Sequence, residues 1–405
     1  MRILQVHGRY RSGAPSGENQ VVDREAALLR EAGHKVASFE RHSDAIAGWP
    51  LARRAALSVT SIHDPAVRRE LAALLAGDRP DVVHVHNTFP LLSPSVLVAC
   101  RDAGVPVVAT LHNYKLLCAS GDFFRDGRPC HACADGAVAP ALRHGCYRGS
   151  RAATLPVAAG LRANRTLWRS AVAAYLCISA SQRDLLAGLG LPADRIRVVP
   201  NFVPTPAEPP VAAERRTHTV VSLSRLDAAK GARFLMHAWD AFRAVHPVSP
   251  LRLVIAGGGP LEDAVRRWAR RHDSVDVLGN VSGREALALL AHARAALVPS
   301  QWEETFGLVA IEAMATGVAP IAPARGSFPE IVTDGVDGTL YTAGDHHDLA
   351  RVLADVDREP ERYAALGRRG RTTHVKRFAP AAHLDELVAA YDAAVRLHAT
   401  GGGLS

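Results

Sequence analysis

Two cations stand five residues apart in the segment Ser224–Gly231, SRLDAAKG: Arg225 and Lys230. The segment follows an apolar run and precedes a helical pattern. At such a junction both side chains can reach one diphosphate, beside a helix N-terminus whose dipole favours anions. Taken alone, a pair of this kind is more often two solvated charges. The next turn, AGGGP, places Gly257, Gly258 and Gly259 between a strand pattern and a helix pattern. Glycine lets backbone N–H groups come close to a phosphate or sugar. Glu262 stands where the third glycine of G-x-G-x-x-G would be, so the dinucleotide fingerprint is incomplete, and no Walker motif is present. A third segment carries Glu304 and Glu312, eight residues apart. One lies in a loop and the other in the helix after it, so both carboxylates can accept hydrogen bonds from the hydroxyls of one ligand. The amides of Phe306, Gly307 and Leu308 fall at that helix start, where N–H groups lack intrahelical partners. Either glutamate alone would read as an ordinary surface or helix-start acid.

A separate cluster could hold a metal. Of six cysteines, Cys100 and Cys177 sit in apolar runs and read as buried thiols. Cys118, Cys130, Cys133 and Cys146 gather in a loop-rich stretch, with a C-x2-C at its centre. Four thiolates suit tetrahedral zinc; an iron–sulfur cluster, reduced thiols and disulfides are the alternatives, the last disfavoured inside a cell.

These residues need elements to position them. Short apolar runs alternate with helical stretches, the pattern of parallel α/β units. Strands are expected at 2–7, 35–39, 82–86, 106–111, 173–178 and 197–199, then at 219–223, 251–256, 275–278, 295–299 and 318–322. Between the two sets, Pro200–Pro210 holds five prolines in eleven residues, a semi-rigid linker. The expected fold is α/β, two doubly wound Rossmann-like halves in tandem, with ligands outside the carboxyl ends of the strands and a cleft between the halves. The expected domains are 1–203, carrying the cysteine-rich insertion 118–146; 204–378; and a last helix and tail, 379–405. The apolar positions Leu384, Leu387, Val388, Tyr391 and Val395 fall at helical spacing in that helix and give it an apolar face.

Composition bounds the function class. The chain has 405 residues, 48% hydrophobic and 22% charged, enough for a large core and too apolar for disorder. No apolar run reaches the length of a spanning helix, and MRILQVHGRY lacks the features of a signal peptide, so a cytoplasmic location is expected. Residues 1–200 hold 25 basic and 16 acidic side chains, against 23 and 24 in residues 201–405. The first half therefore suits an anionic surface or substrate. Residues 136–183 contain seven arginines and no acid, with Leu155, Leu161, Leu167 and Trp168 interleaved. Such a stretch can lie on an anionic membrane or hold an anionic acceptor; a solvated helix face packed on the core is the plainer reading. No nucleic-acid-binding signature is present.

In order, SRLDAAKG, AGGGP, PSQWEETFGLVAIEAMATGVAPIA and GSFPEIVTDGVDGTLY resemble the retaining glycosyltransferases of family 4, and the resemblance covers most of the chain. Its first half adds Ser16-Gly17-Glu18-Asn19, and HVHNTFPLLSPSVL with GVPVVATLHNYKLLC. Where the family usually has a double glycine, this chain has Ser16-Gly17. The resemblance implies a GT-B fold and transfer of a sugar from a UDP- or GDP-sugar to a hydroxyl acceptor: a polysaccharide, a glycolipid or a secondary metabolite, lipid-linked in some cases. It implies that Arg225 and Lys230 neutralise the departing diphosphate without a catalytic metal. Glu312 would bind the nucleotide ribose, and Glu304 with the amides of residues 306–308 would hold donor sugar and phosphate. Gly17 would let the first loop approach the diphosphate, and His112 would face the reacting carbon. The resemblance also implies that the last helix, in residues 379–405, crosses back to the first domain. Epimerisation or hydrolysis of the nucleotide sugar, or binding without catalysis, are the competing readings.

Overall fold

The computed structural model describes all residues except 11, 13–15 and 401–405; the end of the expected tail lies outside the described residues. Fourteen strands follow in order: β1 (Arg2–Arg9), β2 (Lys35–His42), β3 (Val82–Asn87), β4 (Val107–Leu111), β5 (Phe124–Arg125), β6 (Arg128–Pro129), β7 (Ala174–Cys177), β8 (Ile196–Val198), β9 (Thr219–Leu223), β10 (Arg252–Ala256), β11 (Val275–Gly279), β12 (Ala295–Leu297), β13 (Ala319–Pro323) and β14 (Thr339–Tyr341). They build two units, one of Met1–Phe123, Cys130–Pro200 and Leu384–Ser405, the other of Phe124–Pro129 and Asn201–His383.

The first unit holds a sheet in the order β2-β1-β3-β4-β7-β8, every neighbouring pair parallel. Its central strands read as nearly continuous apolar runs because helices cover both faces. Ser16 caps the helix Gly17–Glu31 by accepting from the Asn19 amide, and Val21, Val22, Ala26 and Leu29 form the buried stripe. The final helix, Pro380–Ala399, belongs to this unit from Leu384 onward. Its Leu387, Ala390, Tyr391 and Ala394 join Ile3, Leu29, Val82, Val108 and Leu176 in one buried cluster.

The second unit orders its strands β11-β10-β9-β12-β13-β14, again all parallel. Trp239, Phe242, Leu253, Ile255, Trp268 and Leu353 fill one side of the sheet; Ala256, Leu290, Ala296, Ala313 and Val318 pack the other. Pro200–Pro210 forms no helix or strand. Strand edges move by a few residues from the sequence expectation. Two strand features had no counterpart there: β14, only three residues long, and the antiparallel β5–β6 hairpin inside the cysteine-rich insertion.

The basic stretch 136–183 is not one amphipathic helix. It breaks into the helices Ala139–His144, Arg151–Ala163 and Arg165–Ser170, then the buried strand β7 and the start of the helix Ala180–Leu185. Glycines 145 and 149 sit at positive φ between the first two helices and turn the chain. Trp168 is buried while Leu155 is 58% exposed, so the four apolar residues share no single face.

Candidate functional site

In the second sheet the strand order reverses between β9 and β12, the point where α/β sheets bind ligands. The loops leaving those two strands carry Lys230 and Glu304. The Lys230 ammonium lies 2.9 and 2.8 Å from the two carboxylate oxygens of Glu304 and 4.8 Å from the centre of the Trp302 ring. Glu304, 6% exposed, also accepts from the Ser300 hydroxyl at 2.7 Å and the Trp302 indole N–H at 2.8 Å. A buried carboxylate needs such company, because an unpaired charge there would be costly.

Close backbone approach locks these loops together. Gly231 has φ +77°, and a Cβ there would lie 1.9 Å from the Pro299 carbonyl oxygen; the Gln301 amide donates to the Ala229 carbonyl beside it. A Cβ on Gly257 would lie 1.9 Å from the Ser224 carbonyl oxygen, and the Leu226 amide donates to the Gly258 carbonyl at 2.9 Å. The glycine turn is thus bound edgewise to the Arg225 loop. Ser327 holds the third segment: its amide donates to the Glu304 carbonyl and its hydroxyl to the Phe306 carbonyl. Phe306 is buried, and Gly307 starts the helix Leu308–Ala315 in the left-handed region. Glu312 lies half-buried in that helix, among Ala310, Ile311, Ala313 and Met314.

Arg225 is 68% exposed at its side chain and pairs with Asp227. Asp227 also accepts from the Lys230 amide at 2.8 Å, so one carboxylate shapes the whole loop between the two cations. Asp227, Ser300 and Trp302 were missed in the sequence; their adjacency to Lys230 and Glu304 was the available signal.

In the first sheet the order reverses between β1 and β3. A buried polar cluster crosses these strands. Glu25 accepts from Gln5 at 3.0 Å and lies 3.0 Å from His84 and 3.3 Å from His86. Tyr391 meets His84 at 2.7 Å, and His86 Nδ1 meets His112 Nε2 at 3.0 Å with the rings stacked. Burial, then the neighbouring His86, hold the His112 pKa well below the ordinary histidine value. The same two causes lower His7 to about 4. Gly17 is the exposed first residue of its helix. Next to it, Glu18 accepts from Tyr10 and Asn113, each at 3.3 Å, which sets the first-strand loop against the residue after His112. Burial pushes Glu18 up to about 8. His84 and His86 were missed, although alternate positions on a strand face the same side.

Among the described residues the four clustered cysteines form no disulfide. Burial, then Cys118, with smaller parts from Cys146 and Cys130, pushes the Cys133 thiol up to about 11, so the four share one neighbourhood. Among the described residues, however, the group whose ligand atoms lie within 4.8 Å of one another is Glu25, His84 and His86. The Glu25 carboxylate lies within ion-pair distance of both histidines, which accounts for that closeness. Among the described residues no helix is long and apolar enough to cross a membrane.

Comparison with known proteins agrees with this geometry. The chain is 32% identical over 220 residues to MMP alpha-(1->4)-mannosyltransferase of Mycolicibacterium hassiacum, covering 54% of this chain and 53% of that protein. It is 30% identical over 299 residues to glycogen synthase of Mycobacterium tuberculosis, covering 72% and 63%. The chain thus spans between half and two thirds of the length of these relatives. The crystal structure of Anabaena HepE in complex with UDP-glucose superimposes with a TM-score of 0.67 at 17% identity, over 96% of this chain and 98% of that one. Together with the two parallel six-stranded sheets, this shows the GT-B fold. Residues 15–206 match the Glycosyltransferase Family 4 model and residues 208–373 the model of Glycosyl transferases group 1, and the chain belongs to these glycosyltransferases.

Proposed function

We propose that the protein transfers a sugar from a nucleoside diphosphate sugar to a hydroxyl acceptor with retention at the anomeric carbon. The Lys230–Glu304 pair at the switch point of the second sheet carries this reading. It puts a fixed cation and a fixed acceptor of hydrogen bonds where a diphosphate and a sugar must both be held. Arg225, exposed and paired with Asp227, is the second cation on the diphosphate. Gly257–Gly259 and the amides of Phe306–Leu308 line its backbone side, Glu312 takes the ribose hydroxyls, and Glu304 the donor sugar. The relatives named for mannosyl transfer and glycogen synthesis, and the neighbour holding UDP-glucose, support a UDP- or GDP-sugar.

In the reaction the bond from the anomeric carbon to the diphosphate oxygen breaks, and the acceptor oxygen bonds to the same face. The departing diphosphate oxygen takes the acceptor's proton. Charge grows on the diphosphate as the bond lengthens, so cations fixed beforehand favour the transition state over the ground state. This chemistry asks no added metal. His112 contacts the donor sugar, and Gly17 lets its loop approach the diphosphate. The same reading gives Cys118, Cys130, Cys133 and Cys146 a structural zinc, supported by their shared neighbourhood. It places the enzyme in the cytoplasm, its basic first unit suited to peripheral contact with an anionic membrane.

A panel of UDP- and GDP-sugars tests the proposal by release of nucleoside diphosphate with and without hydroxyl acceptors. Acceptor-dependent release, with the product's anomeric configuration matching the donor's, is expected. Release unaffected by any acceptor would favour hydrolysis, and no turnover at all with tight nucleotide binding would favour a binding protein.

A further inference from the structure

The first unit contains a cavity of about 870 Å³, counting its open mouth, next to His112. Its lining is apolar at Ile62, Val157, Leu161, Trp168 and Leu189 and polar at His86, His112, Asn113, Lys115 and Arg165. Neither cation has an ion-pair partner among the described residues. Lys115 donates to the Ala119 carbonyl at 2.9 Å and lies 4.7 and 4.8 Å from the Phe89 and Tyr147 ring centres. Arg165 donates to the Gly136 carbonyl. Both are half-buried, so each has lost part of its hydration, and the Asp122 carboxylate acts on Lys115 without an ion pair between them. The surrounding segment, residues 136–183, carries seven arginines and no acid.

From the apolar lining and the two cations without ion-pair partners, we infer that this cavity binds an amphipathic anion, an acceptor with a hydrocarbon body and a phosphate group. The hydrocarbon would lie along Val157, Leu161 and Trp168, where each buried CH2 adds to the affinity. The phosphate would meet Lys115 and Arg165 where water is scarce and charge-assisted hydrogen bonds are strong. Burial already lowers Lys115 to about 8, so a bound anion would also secure its charged form. A neutral sugar would leave the apolar lining and both cations unused. The inference rests on the transferase reading only in calling the ligand an acceptor.

Calorimetric titration of the full chain with octyl phosphate below its micellar concentration tests this, with 1-octanol and inorganic phosphate as separate arms. Octyl phosphate is expected to bind about tenfold or more tighter than either. Val157→Trp, which fills the cavity, should lose that binding about tenfold or more, and Lys115→Gln about tenfold. Leu161→Phe is the milder filling variant should Val157→Trp unfold, with the melting temperature and UDP binding as checks of folding. Equal binding of octanol would remove the anion from the proposal, and equal binding of inorganic phosphate would remove the apolar body. Octyl phosphate or anionic phospholipid vesicles binding the filled variants as well as the parent would place the anion on the basic surface, and the cavity assignment would fall. Octyl phosphate binding without sugar turnover would overturn the transferase reading and leave the cavity assignment standing. Turnover without such binding would do the reverse.

Discussion

The Lys230 ammonium spans both oxygens of the Glu304 carboxylate, 2.9 and 2.8 Å away, across 74 positions of sequence. The pair joins the loop after β9 to the loop after β12, the two strands that flank the reversal of strand order. A cation held in this way is already in place when a diphosphate arrives and needs little reorganisation as charge develops.

Removing either cation separates two effects. Lys230→Ala should lower turnover by roughly 10²-fold or more and also lower the melting temperature, because it strips buried Glu304 of its counter-charge. Arg225→Ala should lower turnover by a similar factor, roughly 10²-fold, with the melting temperature unchanged, since Arg225 is mostly exposed. Steady-state kinetics with thermal melts would decide; near-parental turnover in both variants would sink the diphosphate assignment.

Gly231→Ala should be far worse than a typical surface change. The added Cβ would lie 1.9 Å from the Pro299 carbonyl at a positive φ, so the Lys230 loop must leave its place. A loss of about 2–4 kcal/mol is expected, together with most of the activity. Gly33→Ala is the control: φ is also positive, at +84°, but nothing lies within 4 Å. It should cost only about 1 kcal/mol. Equal costs at the two sites, read by chemical denaturation, would contradict the packing described.

The buried groups of the first unit predict a pH dependence of stability. His7, at about 4, and His112, well below its ordinary value, resist protonation in the folded chain. Their contribution is complete above the unfolded histidine range, near 6.5, and is lost as pH falls toward 4. Glu18 behaves oppositely. It keeps its proton up to about 8, so its contribution is complete below 4.5 and lost as pH rises from there to about 8. Between pH 6.5 and 8 the ionisation of Glu18 should make stability fall with pH, by at most about 1.4 kcal/mol per unit. Glu18→Gln should flatten that limb. Parallel curves for parent and variant would show that Glu18 is ionised in the fold.

Protein purified anaerobically should carry about one zinc per chain if the four clustered thiols form a tetrahedral site. Cys133→Ser should release the metal and lower the melting temperature, because ligand loss removes folding free energy. Elemental analysis finding neither zinc nor iron would dispose of the site, and would leave the sugar-transfer reading intact.

Much of this protein was legible in its sequence, for local reasons. Alternating apolar runs and helical stripes are read over a few residues, so both parallel sheets and the proline-rich joint emerge from spacing alone. Arg225, Lys230, Gly257–Gly259 and Glu304 stand out because each lies in the loop after a strand pattern, where α/β folds place ligands, and Glu312 because it falls in the helix that follows the Glu304 loop. Which residues become partners was settled only by strand order. Lys230 meets Glu304 because β9 lies beside β12, not because of any spacing between positions 230 and 304. In the same way β1, β3 and β4 bring His7, His84, His86 and His112 into one buried network that the Glu25 carboxylate and Tyr391 complete from two helices. The basic segment shows the converse. Its composition suggested one amphipathic face, but glycines at positive φ and a buried strand divide it, and what remains is a wall of the cavity beside Lys115. Patterns along the chain determine elements; the long-range pairing of those elements determines which charges and carbonyls end within hydrogen-bond reach.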